Sequence, residues 1–357
     1  MRNNTNSPQI EEIISKSLYY TPFDIKWLPS STKLLIIGKT FSSKGVIQIY
    51  HLIKGKLEIE SEFIKENTFK CCSSGGSCFA SRDLAIGDCE GNLLIFDLEK
   101  GDSIYEVKKA HKSIIYAIDA IGHNANCGTT EVMTGGKDGL VKIWDTRADK
   151  PAIICNHKEI GNNSPECWSV NFGGCYNRDE RNVGIGYDNG EIKIFDLRRN
   201  RLLYGENFKN GICSIEFDSK YLPINKMAVT TLDSNIYLFD LKNIDKNNNS
   251  KCMKLNDEVK NTTIWGVKFL PQKRDVFASM GGNGSLNLYK YNINDFNYDE
   301  SENNNKSIGK LTLLNSNIIC RQPIIGFNWH YTKCGLSCLI SLDRTVKICY
   351  ANNLNAV

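Results

Sequence analysis

The sequence has almost no surplus of charge. Its 44 Lys and Arg stand against 40 Asp and Glu, a formal net charge of +4. That balance gives no reason to expect nucleic acid or a membrane as partner, because phosphate binding without sequence preference needs a basic surplus or stripe. No apolar run approaches the roughly 20 residues that span a bilayer. The opening MRNNTNSPQIEEII lacks a basic-then-apolar leader pattern. The 14 cysteines form no CxxC pair and find no histidine at ligand spacing. Cys334 and Cys338, placed on a strand, lie roughly 13 Å apart, which is poor geometry for zinc. These absences predict a soluble protein of the cytosol or nucleus, its thiols reduced and buried, with no metal.

The composition is otherwise ordinary for a globular chain, 41% hydrophobic and 24% charged. A chain of 357 residues buries a sizeable core without a metal or disulfide staple. At roughly 100–200 residues per domain it reads as two or three domains, or as one repeat architecture.

Glycine is frequent (28), proline is scarce (8), and β-branched runs recur. The clearest unit is 131–147, EVMTGGKDGLVKIWDTR: a strand, a tight turn at Asp138-Gly139, and a second strand ending Trp144-Asp145. Asp-Gly between alternating apolar runs marks a hairpin, because the turn needs positive φ. The same unit stands around Tyr50, Phe96, Phe195, Phe239, Tyr289 and Cys349, at spacings of 46, 48, 51, 44, 50 and 60 residues. Each hairpin is preceded by another short strand: FDIKWLP, FKCCSS, IYAIDAIG, CWSVNFGG, ICSIEFDS, IWGVKFLP and IIGFNWH. A period near 40–50 with four strands per unit predicts an all-β fold, a seven-bladed β-propeller filling residues 1–357 as one domain. The last unit lacks a fourth strand, so residues 8–17 are expected to supply it and close the ring. Two Asn-rich segments, 245–251 and 292–307, break the period and are expected to be disordered.

In the third unit, His111, Thr134, Asp138 and Trp144 are placed to satisfy one another as a buried hydrogen-bond chain. His111 and Asp138 do not read as a catalytic dyad, since no Ser or Cys nucleophile accompanies them. The position of Asp138 is taken by Glu90, Asn189, Ser234, Asn283 and Asp343 in other units. The glycine turns at 75–78 and 281–284 lack the Lys-Ser/Thr and the helix of a phosphate loop. The chain therefore reads as a non-enzyme, with no catalytic residue and no cofactor.

Two surfaces stand out as protein-binding candidates. Aligning the first strands on their apolar register brings Asp24, Cys72, Tyr116, Trp168, Cys213, Trp265 and Ile325 to one position at the channel mouth. The aromatics Tyr116, Trp168 and Trp265 have the character of interaction hot spots. On the opposite rim, Arg147 and Arg198 each follow an Asp by two residues, in WDTR and FDLR. They are placed either to fork onto a partner's carboxylates or to pair with their own Asp.

The longer motifs carry a family resemblance. FDIKWLP with GVIQIY, RDLAIGDCEGNLLIFDLE, HKSIIYAIDAIG with VMTGGKDGLVKIWDTR, and above all ECWSVNFGGCYNRDERNVGIGYDNGEIKIFDLR resemble the WD40-repeat family of axonemal dynein assembly factors. TTIWGVKFLPQKRDVFASMGGNGSLNLYKY and RQPIIGFNWH with SLDRTVKI extend the likeness from Pro8 to about Asn352. The resemblance implies a cytoplasmic, monomeric adaptor. It would link a heat-shock co-chaperone assembly, with AAA+ ring ATPases and a prefoldin-like module, to client subunits, chiefly dynein arms. The departures are the Asn-rich insertions and Cys349 where an aromatic is expected. A second reading is a substrate receptor of a cullin-based ubiquitin ligase, since the paired Asp-x-Arg motifs are a pattern such receptors share. A propeller enzyme would need a polar residue at the channel mouth whose loss abolishes turnover, and the sequence offers none.

Overall fold

The computed structural model describes residues 7–75, 82–122, 130–155, 164–174, 181–223, 225–241, 251–256 (backbone only), 262–292 and 310–354. Among the described residues, twenty-eight strands form seven four-stranded antiparallel sheets. Six sheets take their strands in chain order: blade one spans 21–65, blade two 69–107, blade three 115–155, blade four 167–207, blade five 212–256 and blade six 264–318. Blade seven joins Ile324–Trp329, Leu336–Ser341 and Thr345–Ala351 to the N-terminal strand Ile10–Ser17. The first strand of every blade packs on the first strands of its two neighbours, and those of blades one and seven meet, so the ring is closed. Most of the Asn-rich segments 245–251 and 292–307 lies outside the described residues, and so does the expectation of disorder made for them.

Burial explains the strand sequences. A second strand such as Lys33–Lys39 lies between two neighbouring blades and is buried on both faces, so Leu34, Leu35, Ile36 and Ile37 run consecutively at 0% exposure. The outermost Lys56–Lys65 instead reads KLEIESEFIK and is mostly exposed. Packing between blades is done by apolar clusters that bridge neighbours, such as Met133, Ile143, Phe172 and Tyr187 between blades three and four.

The turn between second and third strands has one conformation around the ring. The residue after the Asp138 position is left-handed in all seven blades: Ser43, Gly91, Gly139, Gly190, Ser234, Gly284 and Arg344. This phase corrects one equivalence. The residue matching Asp138 in blade five is Asp233, because Ser234, at φ 65°, occupies the glycine position. Gly284 shows why glycine usually stands there: a Cβ would sit 2.0 Å from the Cys320 carbonyl oxygen.

Closure is two-sided. The N-terminal strand pairs along 10–17 with 345–351, broken by one bulge at Ile13. Gln9 N–H donates to Asn352 Oδ1, and Asn352 N–H donates to the Gln9 carbonyl, both at 2.9 Å. Leu18 N–H donates to the Arg344 carbonyl at 2.7 Å.

In blade three, Trp144 Nε1–H donates to Thr134 Oγ1 at 2.9 Å. Thr134 Oγ1 lies 2.8 Å from His111 Nε2, and His111 Nδ1 lies 2.8 Å from Asp138 Oδ1. The donor sequence that satisfies all four runs Trp144 to Thr134 to His111 Nε2, with Nδ1–H given to Asp138. Burial alone would raise the Asp138 carboxyl; the bond from His111 and the N–H groups of Lys112 and Leu140 outweigh it and hold the pKa down to about 2. An unfolded Asp titrates near ~3.9. The stabilisation is therefore complete above that value and is lost as pH falls towards the folded pKa. The stability difference between the parent chain and Asp138→Asn should shrink over that interval in urea titrations; a constant difference would contradict it.

Candidate functional site

The first strand of every blade carries a β-bulge at the same place, just after its entry residue. The register slips between Pro22 and Asp24, Phe69 and Cys71, Ile115 and Ala117, Cys167 and Ser169, Ile212 and Ser214, Ile264 and Gly266, and Ile324 and Gly326. An extra residue in one strand turns its side chain out of the ladder. The seven turned out are Phe23, Lys70, Tyr116, Trp168, Cys213, Trp265 and Ile325. Six are half-buried and Trp265 is 42% exposed. They stand where the chain enters the innermost strands, on the face that also carries the turns between second and third strands.

Apolar alignment of the sequence is thus right for blades three to seven and shifted for the first two. Asp24 is one residue past the bulge and Cys72 two past it. Asp24 is spent inside the ring: it accepts from Ile25 N–H at 2.8 Å, from Cys72 N–H of the next blade at 3.1 Å and from Lys26 Nζ at 2.6 Å. Cys72 is 1% exposed. Phe23 and Lys70 take their places, with the Lys70 ammonium 4.9 Å from the Phe23 ring centroid. Gly282 lies against the Trp265 indole, where a Cβ would come 3.3 Å from Nε1. The same face exposes Phe41 (79%), Leu342 (46%) and Leu232 (37%), none of which stood out in the sequence. An apolar residue in a turn otherwise built of polar groups is the signal that would have found them.

Three residues beyond each bulge lies a second ring that the sequence did not disclose: Lys26, Ser73, Asp119, Asn171, Glu216, Lys268 and Asn328. Each faces the channel and most reach a neighbouring blade. Asp119 accepts Phe172 N–H at 2.8 Å, Asn171 accepts Phe217 N–H at 3.3 Å, and Asn328 accepts Trp27 N–H at 3.1 Å. Lys268 donates to Glu216 at 2.5 Å, and Lys220, from the next connection, reaches across to Asp119. Burial alone would depress the ammonium groups of Lys26 and Lys220, but Asp24 and Asp119 beside them hold both above the usual range. The charges cancel, and the ring borders a cavity of about 350 Å³ at the far end of the channel.

Arg147 and Arg198 lie on that far face, both exposed. Arg147 folds back on its own Asp145: Nε is 3.0 and 3.2 Å from the two carboxylate oxygens, and one Nη is 2.6 Å from the second. Asp196 accepts the backbone N–H of Arg198 at 2.9 Å. The ten described cysteines whose side chains are placed are all free thiols. Among the described residues no cluster of three or more His, Cys, Asp or Glu has metal-binding geometry. No described helix is long and apolar enough to cross a membrane.

A family model described as the nucleolar protein 10-like N-terminal domain, a β-propeller, matches residues 77–264, from blade two into the start of blade six. The chain is 38% identical to dynein axonemal assembly factor 10 of Homo sapiens, over 98% of each chain. It is 35% identical to the protein of that name from Chlamydomonas reinhardtii, over 99% of each. The Dictyostelium discoideum counterpart is 29% identical over 97% of this chain and 96% of its own length.

Proposed function

The chain belongs to the dynein axonemal assembly factor 10 family, and from that premise we infer that it is a non-catalytic propeller scaffold acting in the cytoplasm in the assembly of axonemal dynein. The observation that carries the reading is the mouth: an exposed Trp265 with Trp168, Tyr116 and Phe23 at one register position, and Phe41, Leu232 and Leu342 on the same face. Half-exposed aromatics on a rigid strand supply contact area at little entropic cost, which is what a docking surface needs. The scaffold would act as a monomer and hold client subunits there, or bring them to a co-chaperone assembly with an AAA+ ATPase and a prefoldin-like module.

Trp265→Ala is expected to weaken capture of the partner by about 2 kcal/mol or more with unchanged thermal unfolding, because its ring contributes little to the core. Affinity purification from ciliated cells, with quantitative identification of bound proteins, checks this. Dynein and chaperone subunits falling together supports the scaffold reading; a loss no greater than for an alanine at an exposed residue of the outer strands would sink it. The cullin reading is tested in the same purification, by recovery of a cullin adaptor that disappears on substitution of Arg147 and Arg198. The grip of Asp145 on Arg147 leaves that guanidinium less available to a partner than the reading requires.

A further inference from the structure

The mouth is not chemically uniform, and one sector of it is built for a cation. Tyr116 and Trp168 hold the same bulge position in adjacent blades, both half-buried. Glu166 acts on both: Trp168 Nε1–H donates to Glu166 Oε2 at 3.2 Å, and the negative charge of the same carboxylate helps raise the Tyr116 hydroxyl. Asp188 stands beside Glu166 and accepts its backbone N–H at 2.9 Å. The Trp168 ring is seated on Gly211, where a Cβ would approach it to 2.9 Å.

Among the described residues the two carboxylates are under-neutralised. Lys137 is the ion-pair partner of Glu166 among the described residues, at 3.6 Å and with half its side chain in solvent. Among those residues Asp188 has none. Burial pushes the Asp188 carboxyl up; the N–H bond from Glu166 opposes the rise, and the Glu166 charge adds to it. Burial likewise raises the Tyr116 hydroxyl, with Glu166 and then Asp188 contributing. Two ring systems beside two carboxylates offer a guanidinium faces to stack on and oxygens to fork onto.

We propose that the sector formed by Tyr116, Trp168, Glu166 and Asp188 is the seat for an arginine side chain of the protein that docks on the mouth. The proposal deepens the scaffold reading, since it rests on the mouth being the docking face. It makes the partner segment basic at the point that reaches blades three and four.

The test uses the full chain labelled with 5-fluorotryptophan, the Trp168 resonance being assigned from Trp168→Phe. The probe is a short glycine–serine peptide with one central arginine. Addition of the peptide should shift the Trp168 resonance saturably, and the Glu166→Gln, Asp188→Asn double variant should raise its Kd by about tenfold or more. Both substitutions preserve shape, and Asp188→Asn keeps a side-chain oxygen for the Glu166 N–H; matching thermal unfolding confirms that the variant is folded. A peptide with citrulline for arginine should leave the resonance in place. An equal shift with citrulline, no shift at all, or a double variant that binds as well as the parent would each overturn the cation seat. Any of those results, alongside partner loss on Trp265→Ala, leaves the docking face standing and removes the arginine alone.

Discussion

Deleting residues 1–18 should lower the melting temperature by roughly 5–10 °C and turn a monodisperse protein into an aggregating one. The strand Ile10–Ser17 covers the edge of Thr345–Ala351 along seven paired positions. Ile10 and Leu18 are 3% and 6% exposed, and burying a side chain of that size contributes about 1.5–3 kcal/mol. Lys347 Nζ loses Glu12 at 2.7 Å, and Asn352 loses both backbone partners at Gln9 and the Glu11 carboxylate at 2.9 Å. The uncovered edge then offers a row of unpaired N–H and C=O groups to another chain. Differential scanning calorimetry with light scattering reads both effects. A synthetic peptide of residues 8–18 added to the shortened chain should recover part of the loss. Unchanged melting in the shortened chain would mean that the ring does not depend on this strand.

Trp144→Ala should destabilise the protein by about 3–5 kcal/mol, the range for truncating a large buried aromatic. The ring is 2% exposed and packs between blades two and three, against Leu93, Ile115 and Val132. Its loss also takes a donor from Thr134, which is 0% exposed and has no water to turn to. Trp144→Phe keeps most of the packing and should cost about 1–3 kcal/mol, chiefly the unmade hydrogen bond. Urea unfolding followed by far-ultraviolet circular dichroism separates the two. If Trp144→Phe instead abolished partner capture at full stability, the four-residue network would have a role at a surface that its burial denies.

The seven-bladed ring was legible because the repeat is written in positions that must be apolar on both faces. Tyr50, Phe96, Trp144, Phe195, Phe239, Tyr289 and Cys349 all fall at one third-strand position. The mouth was legible only in part, since a bulge adds a residue without changing the apolar pattern around it. Lys70 gave no sign of belonging with Trp168 and Trp265, and Asp24 looked eligible because nothing in the sequence tells a channel carboxylate from a surface one. Ser234 misled for a related reason: where glycine is replaced in a left-handed turn, the phase of the turn disappears from view. The inner polar ring was invisible altogether, since Ser73, Asn171 and Asn328 read as the solvent-facing alternates of ordinary strands until seven blades bring them round one axis.

The strand that closes the ring has a consequence for how the protein is made. Glu12 and Lys347, in contact across the closure, are 335 residues apart in sequence. A ribosome adding about 5–20 residues per second must run on the order of 20–70 s after the first strand emerges before its partner exists. For that interval Ile10, Ile14 and Leu18 have no blade to cover them, while the flank of blade one, which ends against blade seven, stays open. A propeller joined wholly within each repeat could finish its blades one at a time as they appear. This one is finished only at the last, so the nascent chain itself offers a chaperone an exposed seam for most of its synthesis.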